Sequence, residues 1–573
     1  MRLEIEAAIK TAVRELYRLD LRSPLEHPKQ DSFGDFASPA ALEVARETNV
    51  DPLEIANQLK IKLGDSLKDW VAEIQVEKPG FLNFWLSDAV LAKETVRAGK
   101  EMDRYGSSDL GKGKTIVMDY SAPNIAKRFG IGHLRSTVIG QALYNLHKFS
   151  GYKVVGDNHL GDWGTQFGVL LRQINHKKLT INSLTIDKLE ELYVEFHREA
   201  EEKPKLMEEA REWFLKLESG DKEARTVWQA VVNLSKKEFE RIYALLGVEF
   251  DYTYPESFYE GKIPSVVAEV RRKGLSRKSE GAEIIEFTDL PPLILVKSDG
   301  ATTYFTRDLA TIKFRIEEWD PQTILYEVGA DQKLYFQQVF AAVKMLGWAD
   351  GREFVHVAHG LVRFAEGKLS TRRGQTVQLE DILDESIARA KKLITAPGGT
   401  PQNAVAGGNE DIARAVGVGA LKYFDLSHQP QTDIIFDWEK LFLLEGNSAP
   451  YLQYTYARAK SVLAKAHPSD LVIKSSGDLV KTKQLNNQKT EQPLLRYIYR
   501  FPEVVVEAAK NYSPNLLGNY LFELAQRFNS FYAAAPIIKA EENKELRLIL
   551  TSATAQVLKN GLTLLGIETP ERL

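Results

Sequence analysis

The stretch from 115 to 159 constrains the fold more than any other part of this chain. TIVMDY (115–120) is a short apolar run of strand length. A polar loop holding Pro123, Gly130 and Gly132 follows, then a helical pattern over 134–149 and a second strand-like run, YKVVGDNH (152–159). Strands joined through a helix lie parallel, because only antiparallel neighbours can be linked by a tight turn. The segment therefore predicts a parallel-sheet α/β unit. At 573 residues, and about 150 residues per domain, the chain has room for three or four domains.

The rest of the sequence falls into blocks around that unit. Residues 1–105 read as a compact α+β unit, with helical patterns at 3–18 and 51–65 and a strand pair over 73–87 about a Pro-Gly turn. YGSSDLGKGK (105–114) has linker composition. Residues 180–285 are charge-rich and mostly helical, as expected of an insertion. Strand-like runs return at 283–287, 293–297, 323–328 and 353–360, and from 376 onward the pattern is almost wholly helical. The polar stretch 467–492 interrupts it and is expected to form a mobile loop.

Composition excludes several functions. Lys and Arg number 75 against 79 Asp and Glu, so a bulk polycation for non-specific nucleic-acid binding is ruled out. Segment 441–573 holds 16 basic and 12 acidic residues (+4), leaving −8 for 1–440. That asymmetry alone is ordinary surface charge as readily as a nucleic-acid-binding tail. With no cysteine there are no disulfides, thiolate metal sites, iron–sulfur clusters or cysteine nucleophile, which fits a cytosolic protein. The start, MRLEIEAAIKTAVREL, lacks the apolar core of a signal peptide, and LPPLILV (291–297) falls far short of the roughly 20 residues that span a bilayer. A soluble protein with no membrane partner is expected.

Two loops carry chemistry. In SAPNIAKRFGIGHLRST (121–137), Gly130 and Gly132 let backbone approach a ligand, the following helix start offers unpaired N–H groups to phosphate, and Lys127, Arg128, His133 and Arg135 add cationic donors. Taken alone, it is equally a turn with solvated basic side chains, and it lacks P-loop spacing. EGKLSTRRGQTV (366–377) gathers Lys368, Ser370, Thr371, Arg372 and Arg373 ahead of Gly374. Cations near a transferring phosphoryl group stabilise the charge that builds on it, although read alone this stretch is more readily a solvated basic turn.

Together the loops resemble the HIGH and KMSK signatures of class I aminoacyl-tRNA synthetases, with Gly130-Ile131-Gly132-His133 in the first place and Lys368-Leu369-Ser370-Thr371 in the second. DYSAPNIAK (119–127), GHLRSTVIG (132–140), NHLGDWGTQFG (158–168), TTYFTRDLAT (302–311), HGLVRF (359–364) and GNSAPYLQYTYARAKS (446–461) match, in order, the arginyl-tRNA synthetase family, as does LLGIETPERL (564–573). The resemblance covers the chain from about residue 30 to the end.

It implies a multidomain α/β protein. An N-terminal added domain (1–105) touches the tRNA elbow. A Rossmann-like catalytic domain (106–375) carries the insertion near 180–285, a helical connection spans 376–440, and 441–573 is an all-helical anticodon-binding domain. The activity implied is ATP-dependent ligation of L-arginine to its tRNA through an arginyl-adenylate, with magnesium arriving on ATP and no metal held by the protein. Lys127, His133, Lys368 and Ser370 would be catalytic; Gly130, Gly132, His133, Arg128 and Lys368 would bind ATP. Asp119, Asn124, Tyr304, Asp308 and Gln332 match arginine-site positions, and carboxylates suit a five-donor guanidinium. Tyr451, Tyr454, Arg458, Phe531, Tyr532 and Phe33 would meet tRNA through stacking and phosphate contact. Thr371 stands where the KMSK pattern ends in lysine, and Lys127 is expected to supply that charge. Arginine activation is expected to need bound tRNA, in a cytoplasmic monomer. One departure stands out: Gly130 occupies the place of the first histidine of HIGH. Either Arg128 partly replaces that imidazole, or Arg128 faces solvent or the tRNA acceptor end. The alternative reading is a weakened homologue that binds tRNA or arginine without charging it.

Overall fold

A computed structural model describes residues 1–21, 25–364, 378–395, 408–467, 490–540 and 543–573. The chain opens with α1 (Arg2–Tyr17), β1 (Phe36–Ser38), α2 (Ala40–Thr48), α3 (Pro52–Ser66), β2 (Val71–Glu77), β3 (Phe81–Leu86) and α4 (Asp88–Glu101). Ile5, Ile9, Ala12 and Val13 lie at helical spacing and bury one face of α1. α3 starts where Asp51 accepts from the Leu53 N–H and Pro52 takes the first helical position. The strand pair expected over 73–87 is present: β2 and β3 pair antiparallel, and β1 adds to β3.

The middle of the chain runs β4 (Thr115–Asp119), α5 (Gly132–Phe149), β5 (Lys153–Asp157), α6 (Thr165–His176), α7 (Ile186–Glu202), α8 (Lys205–Glu218), α9 (Lys222–Leu246), α10 (Ile263–Arg272), β6 (Ser276–Ser279), β7 (Ala282–Ile285), β8 (Leu293–Val296), α11 (Tyr304–Trp319), β9 (Thr323–Gly329), α12 (Lys333–Met345), β10 (Glu353–His359) and β11 (Val362–Phe364). β4, β5, β9 and β10 form one parallel sheet in the order β10-β9-β4-β5. β4 pairs β5 on one side and β9 on the other, so the winding reverses there. The rule for open parallel sheets places a ligand crevice outside the carboxyl ends of the two strands at such a switch. Asp119 and Gly329 are those two ends.

Two of the four later strand-like runs leave this sheet. The segments over 283–287 and 293–297 supply β7 and β8, which pair antiparallel with each other, and β6 pairs antiparallel with β7 on its other side. Gly281 and Pro291-Pro292 leave only a few linking residues, too few for the crossover that a parallel pair needs.

The remainder is α13 (Leu379–Thr395), α14 (Gly408–Leu426), β12 (Ile434–Phe436), α15 (Trp438–Leu441), α16 (Ala449–Lys465), α17 (Gln492–Ile498), α18 (Phe501–Lys510), α19 (Pro514–Ala534) and α20 (Lys544–Leu564). The helical expectation holds except at β12, three residues that pair parallel with β11 beside the phosphate-loop region. Most of the 467–492 stretch lies outside the described residues. One apolar core runs from Ile5 through α5 to Ile567, and a second packs α10, α11 and α12 against the sheet. The N-terminal unit is also tied to the C-terminal helices by charge: Arg2 and His27 each lie 3.0 Å from Glu503, Asp31 meets Arg527 at 2.8 Å, and Asp103 meets Lys559 at 2.8 Å.

Candidate active site

The loop between β4 and α5 is held in an uncommon backbone. Ser121, Ala122 and Ala126 have φ of 70°, 41° and 65°, in the left-handed region that side chains disfavour. Each such residue costs about 1–3 kcal/mol and persists only when its surroundings over-determine it. Here they do. Ser121 N–H donates to Ser136 Oγ (2.9 Å), Ala122 N–H to Asn158 Oδ1 (3.2 Å) and Ala126 N–H to Ser235 Oγ (3.0 Å). Ile125 N–H and the Pro123 carbonyl bond to Gly161 from opposite sides. The loop is thus welded to the chain after β5 and to α9, and it ends at the start of α5.

His133 sits in the first turn of α5 with its Nδ1 buried and unpartnered. Burial holds its pKa below the ordinary imidazole value, with Lys127 and His359 contributing. The lowered value favours the neutral imidazole. His359, at the end of β10, is bound at 2.9 Å by the buried Glu327. Lys127 is exposed, its ammonium 5.5 Å from the Tyr193 ring. Gly130 bridges Gln378, and Phe129 C=O accepts from Leu379 N–H at 2.9 Å. The first loop is thus tied to the start of α13, Gly130 and Gln378 being 248 positions apart in sequence. Lys368, Ser370 and Thr371 lie outside the described residues.

Arg128 is engaged elsewhere. Its guanidinium pairs with Asp187 at the start of α7, and its backbone N–H donates to Glu190 at 2.6 Å. It lines a cleft of about 570 Å³ with Asp187, Lys237, Arg241 and Glu380, apart from the acidic pocket described below. Because Asp187 already holds this guanidinium, we expect Arg128→Ala to slow activation by the same factor with Gly130 as with Gly130→His. A double-mutant coupling above about 0.5 kcal/mol would instead mean that Arg128 stands in for the missing imidazole.

The acidic pocket lies across the crevice. Asp308 on α11 accepts a hydrogen bond from Tyr335 on α12, and burial pushes its carboxyl up to about 6. Glu256 opens the turn Glu256–Lys262 and is pushed by burial to about 8, with its Oε2 unpartnered. Asp162 fixes that turn by accepting from Ser257 N–H (2.8 Å) and Oγ (2.6 Å). Tyr304, first residue of α11, leaves its ring half-exposed, and Arg307 lies 4.7 Å over it. A buried carboxylate costs several kcal/mol unless a cation meets it, so a positively charged group arriving here would lower that cost.

Asp119 does not face that task freely, which corrects the sequence expectation. Its Oδ2 accepts from Arg315 Nη2 at 2.7 Å, and Asp157 shares the same guanidinium at 2.8 Å, all fully buried. Asn124 and Gln332 are exposed at the loop after β4 and the turn after β9; Gln332 donates to Asp331 at 3.2 Å. Glu256 escaped sequence reading, since one more acid in a charge-rich segment carries no periodicity or motif, while Asp162 lies in NHLGDWGTQFG (158–168) without being singled out. On the helical domain, Phe531 is 2% exposed and belongs to the core, so it offers no face for stacking, a second correction. Tyr454 and Tyr532 are 38% and 42% exposed, and the Arg458 guanidinium lies between their rings at 4.7 and 5.1 Å. Tyr451 is half-buried against Phe522, and Phe33 is exposed.

A parallel sheet with a winding switch and a glycine-bearing loop at a helix start, tied at Gly130 to the beginning of α13, define a class I aminoacyl-tRNA synthetase. Residues 98–438 match the family described as tRNA synthetases class I (R), catalytic domain; 3–86 match the arginyl tRNA synthetase N terminal domain, and 452–573 the DALR anticodon binding domain. Arginine–tRNA ligase of Chloroflexus aggregans is 42% identical over 542 residues, covering 93% of this chain and 92% of that protein. That of Clostridioides difficile is 37% identical over 578 residues, covering 100% and 99%. The solved Thermus thermophilus arginyl-tRNA synthetase superposes with a TM-score of 0.82 at 25% identity, covering all of both chains. The chain belongs to the arginyl-tRNA synthetase family.

Proposed function

We propose that this protein joins L-arginine to the 3′ end of its cognate tRNA in two steps driven by ATP. The observation that carries the choice of amino acid is the pair of largely buried, incompletely compensated carboxyls, Glu256 and Asp308, across the crevice from the phosphate loop. A guanidinium satisfies both with directed donors. Asn124 and Gln332, exposed at the crevice rim, hold the amino acid's polar backbone groups, and Tyr304 flanks its side chain. Magnesium-bound ATP, as substrate, lays its phosphates at the start of α5, near Gly130, Gly132 and His133. Lys127 and the loop of Lys368 and Ser370 bring positive charge. The arginine carboxylate attacks the α-phosphorus and pyrophosphate leaves; the terminal ribose of the tRNA then takes the arginyl group from the adenylate. Neither step needs an enzyme nucleophile, so positioning and electrostatics carry the rate.

The division into 1–105, 106–375, 376–440 and 441–573 assigns elbow contact, chemistry, stem contact and anticodon reading. The surface formed by Tyr454, Arg458 and Tyr532 is our choice for base stacking, and exposed Phe33 for the elbow side. A cytoplasmic location and a monomeric state belong to the same reading. The weakened-homologue alternative gains no support from relatives named arginine–tRNA ligase that span nearly the whole chain. Charging of total tRNA with each amino acid in turn tests the proposal. Arginine alone should be esterified, and only in the arginine isoacceptors; charging of another amino acid, or of none, would overturn it.

A further inference from the structure

Arg307 is 8% exposed and sits among acids, yet its ion pairs with them are long. Its Nε lies 4.0 Å from Glu256 Oε2 and its Nη1 3.5 Å from Glu260 Oε1. Among the described residues, Arg307 Nε and Glu256 Oε2 are buried without a hydrogen-bond partner, and Glu260 meets Arg307 only by the long 3.5 Å contact. The contrast within the same domain is sharp: Arg315 meets its two carboxylates at 2.7 and 2.8 Å. A purely structural buried pair closes to hydrogen-bonding distance, because an open one leaves the desolvation of both ions unrepaid. The Arg307 guanidinium is held from its other face by the Tyr304 ring at 4.7 Å.

Resting on the arginine-site reading above, we propose that Arg307 is a positioning residue for the amino acid, acting through Glu256. Its guanidinium fixes where that carboxylate sits, offsets part of the cost of charging it inside the protein, and stands far enough back for the substrate guanidinium to take the close contact. The protein's own arginine thereby prepares the carboxylate for the substrate's.

The charged neighbours agree. Glu256 faces Arg307 and Asp308 from α11, Asp162 from the loop after β5 and Glu260 from its own turn. Glu218, at the end of α8, and Lys236 on α9 stand behind Glu260 and Asp162 respectively. Arg307 is the foremost influence opposing the burial that pushes Glu256 to about 8, and the remaining carboxylates push the same way as burial. Without Arg307, Glu256 would hold its proton to still higher pH, and the arriving guanidinium would have to displace it.

The test is equilibrium binding of L-arginine to the full-length protein by calorimetry between pH 6.5 and 9.5, comparing Arg307→Gln with the unmodified chain. At pH 7 the variant should bind about tenfold more weakly, the penalty of one unit in the carboxyl's titration. The ratio of the two affinities should shrink toward one at the alkaline end, and Arg307→Lys should restore most of the loss. A ratio that is constant with pH, or no loss at all, would overturn the proposal, with circular dichroism confirming that the variants are folded. Glu256→Gln separates the two layers. If it leaves arginine affinity untouched, the pocket reading itself fails; if it weakens binding while Arg307→Gln leaves the pH profile unmoved, only the role of Arg307 fails.

Discussion

Replacing Asp308 with alanine is expected to raise the KM for arginine by roughly 30-fold to several thousand-fold, the equivalent of losing about 2–5 kcal/mol from a truncated, desolvated charge pair. The KM for ATP should change less than about threefold, because the phosphate loop stands on the other side of the crevice and its supports come from α5, α9 and the chain after β5. Steady-state aminoacylation with each substrate varied separately reads both. A matched loss in the two constants would place Asp308 in the scaffold and not in the arginine site. The same pocket predicts a pH dependence. Burial holds Asp308 and Glu256 protonated up to about 6 and about 8, so they stabilise the free protein below the ordinary carboxylate range and lose that contribution as pH rises through those values. Bound arginine pairs with the charged forms. The thermal stabilisation by saturating arginine should therefore grow from pH 6 to pH 8.

Arg315→Met is expected to cost about 3–5 kcal/mol of stability, the range for breaking a buried ion pair from one side. Two carboxylates, Asp119 and Asp157, depend on this one guanidinium at the carboxyl ends of β4 and β5. Burial already raises both carboxyls, and Arg315 is the first influence holding them down. Without it they rise further, and a raised acid loses its stabilising contribution as pH climbs, so the deficit should be larger at pH 8 than at pH 5. Urea unfolding followed by tryptophan fluorescence at the two pH values decides. A variant within about 1 kcal/mol of the unmodified protein at pH 8 would show that the three charges are not a structural unit.

These two expectations divide the acids of the crevice into substrate groups and scaffold, a division that burial and pairing alone reveal. Asp119 and Asp308 look alike in sequence, each acidic and each at a matching position. In the fold one is bound by an internal arginine, and the other, among the described residues, accepts from a tyrosine hydroxyl alone. Likewise, NSFYAAAP (529–536) presents adjacent aromatics, but a helix turns them to different sides. Phe531 enters the core while Tyr532 stays at the surface beside Arg458.

What the sequence determined by itself was whatever depends on neighbours along the chain. The alternation of 73–87 set an antiparallel pair, the strand–loop–helix–strand order of 115–159 set a parallel one, and the collinear motifs set the family. Periodicity and linker length are local properties, and they survive any tertiary arrangement. What tertiary structure decided was which charges meet. β7 and β8 left the parallel sheet because their links were short. Glu256 came from a charge-rich segment to face α11, and Arg307 stopped short of it. The electrostatics of the crevice depend on distances between residues far apart in sequence, 27 positions for Asp308 to Tyr335 and 196 for Arg315 to Asp119. No periodicity encodes those distances; only the packing of α11 against the ends of β4 and β5 brings the charges together and dries the space between them.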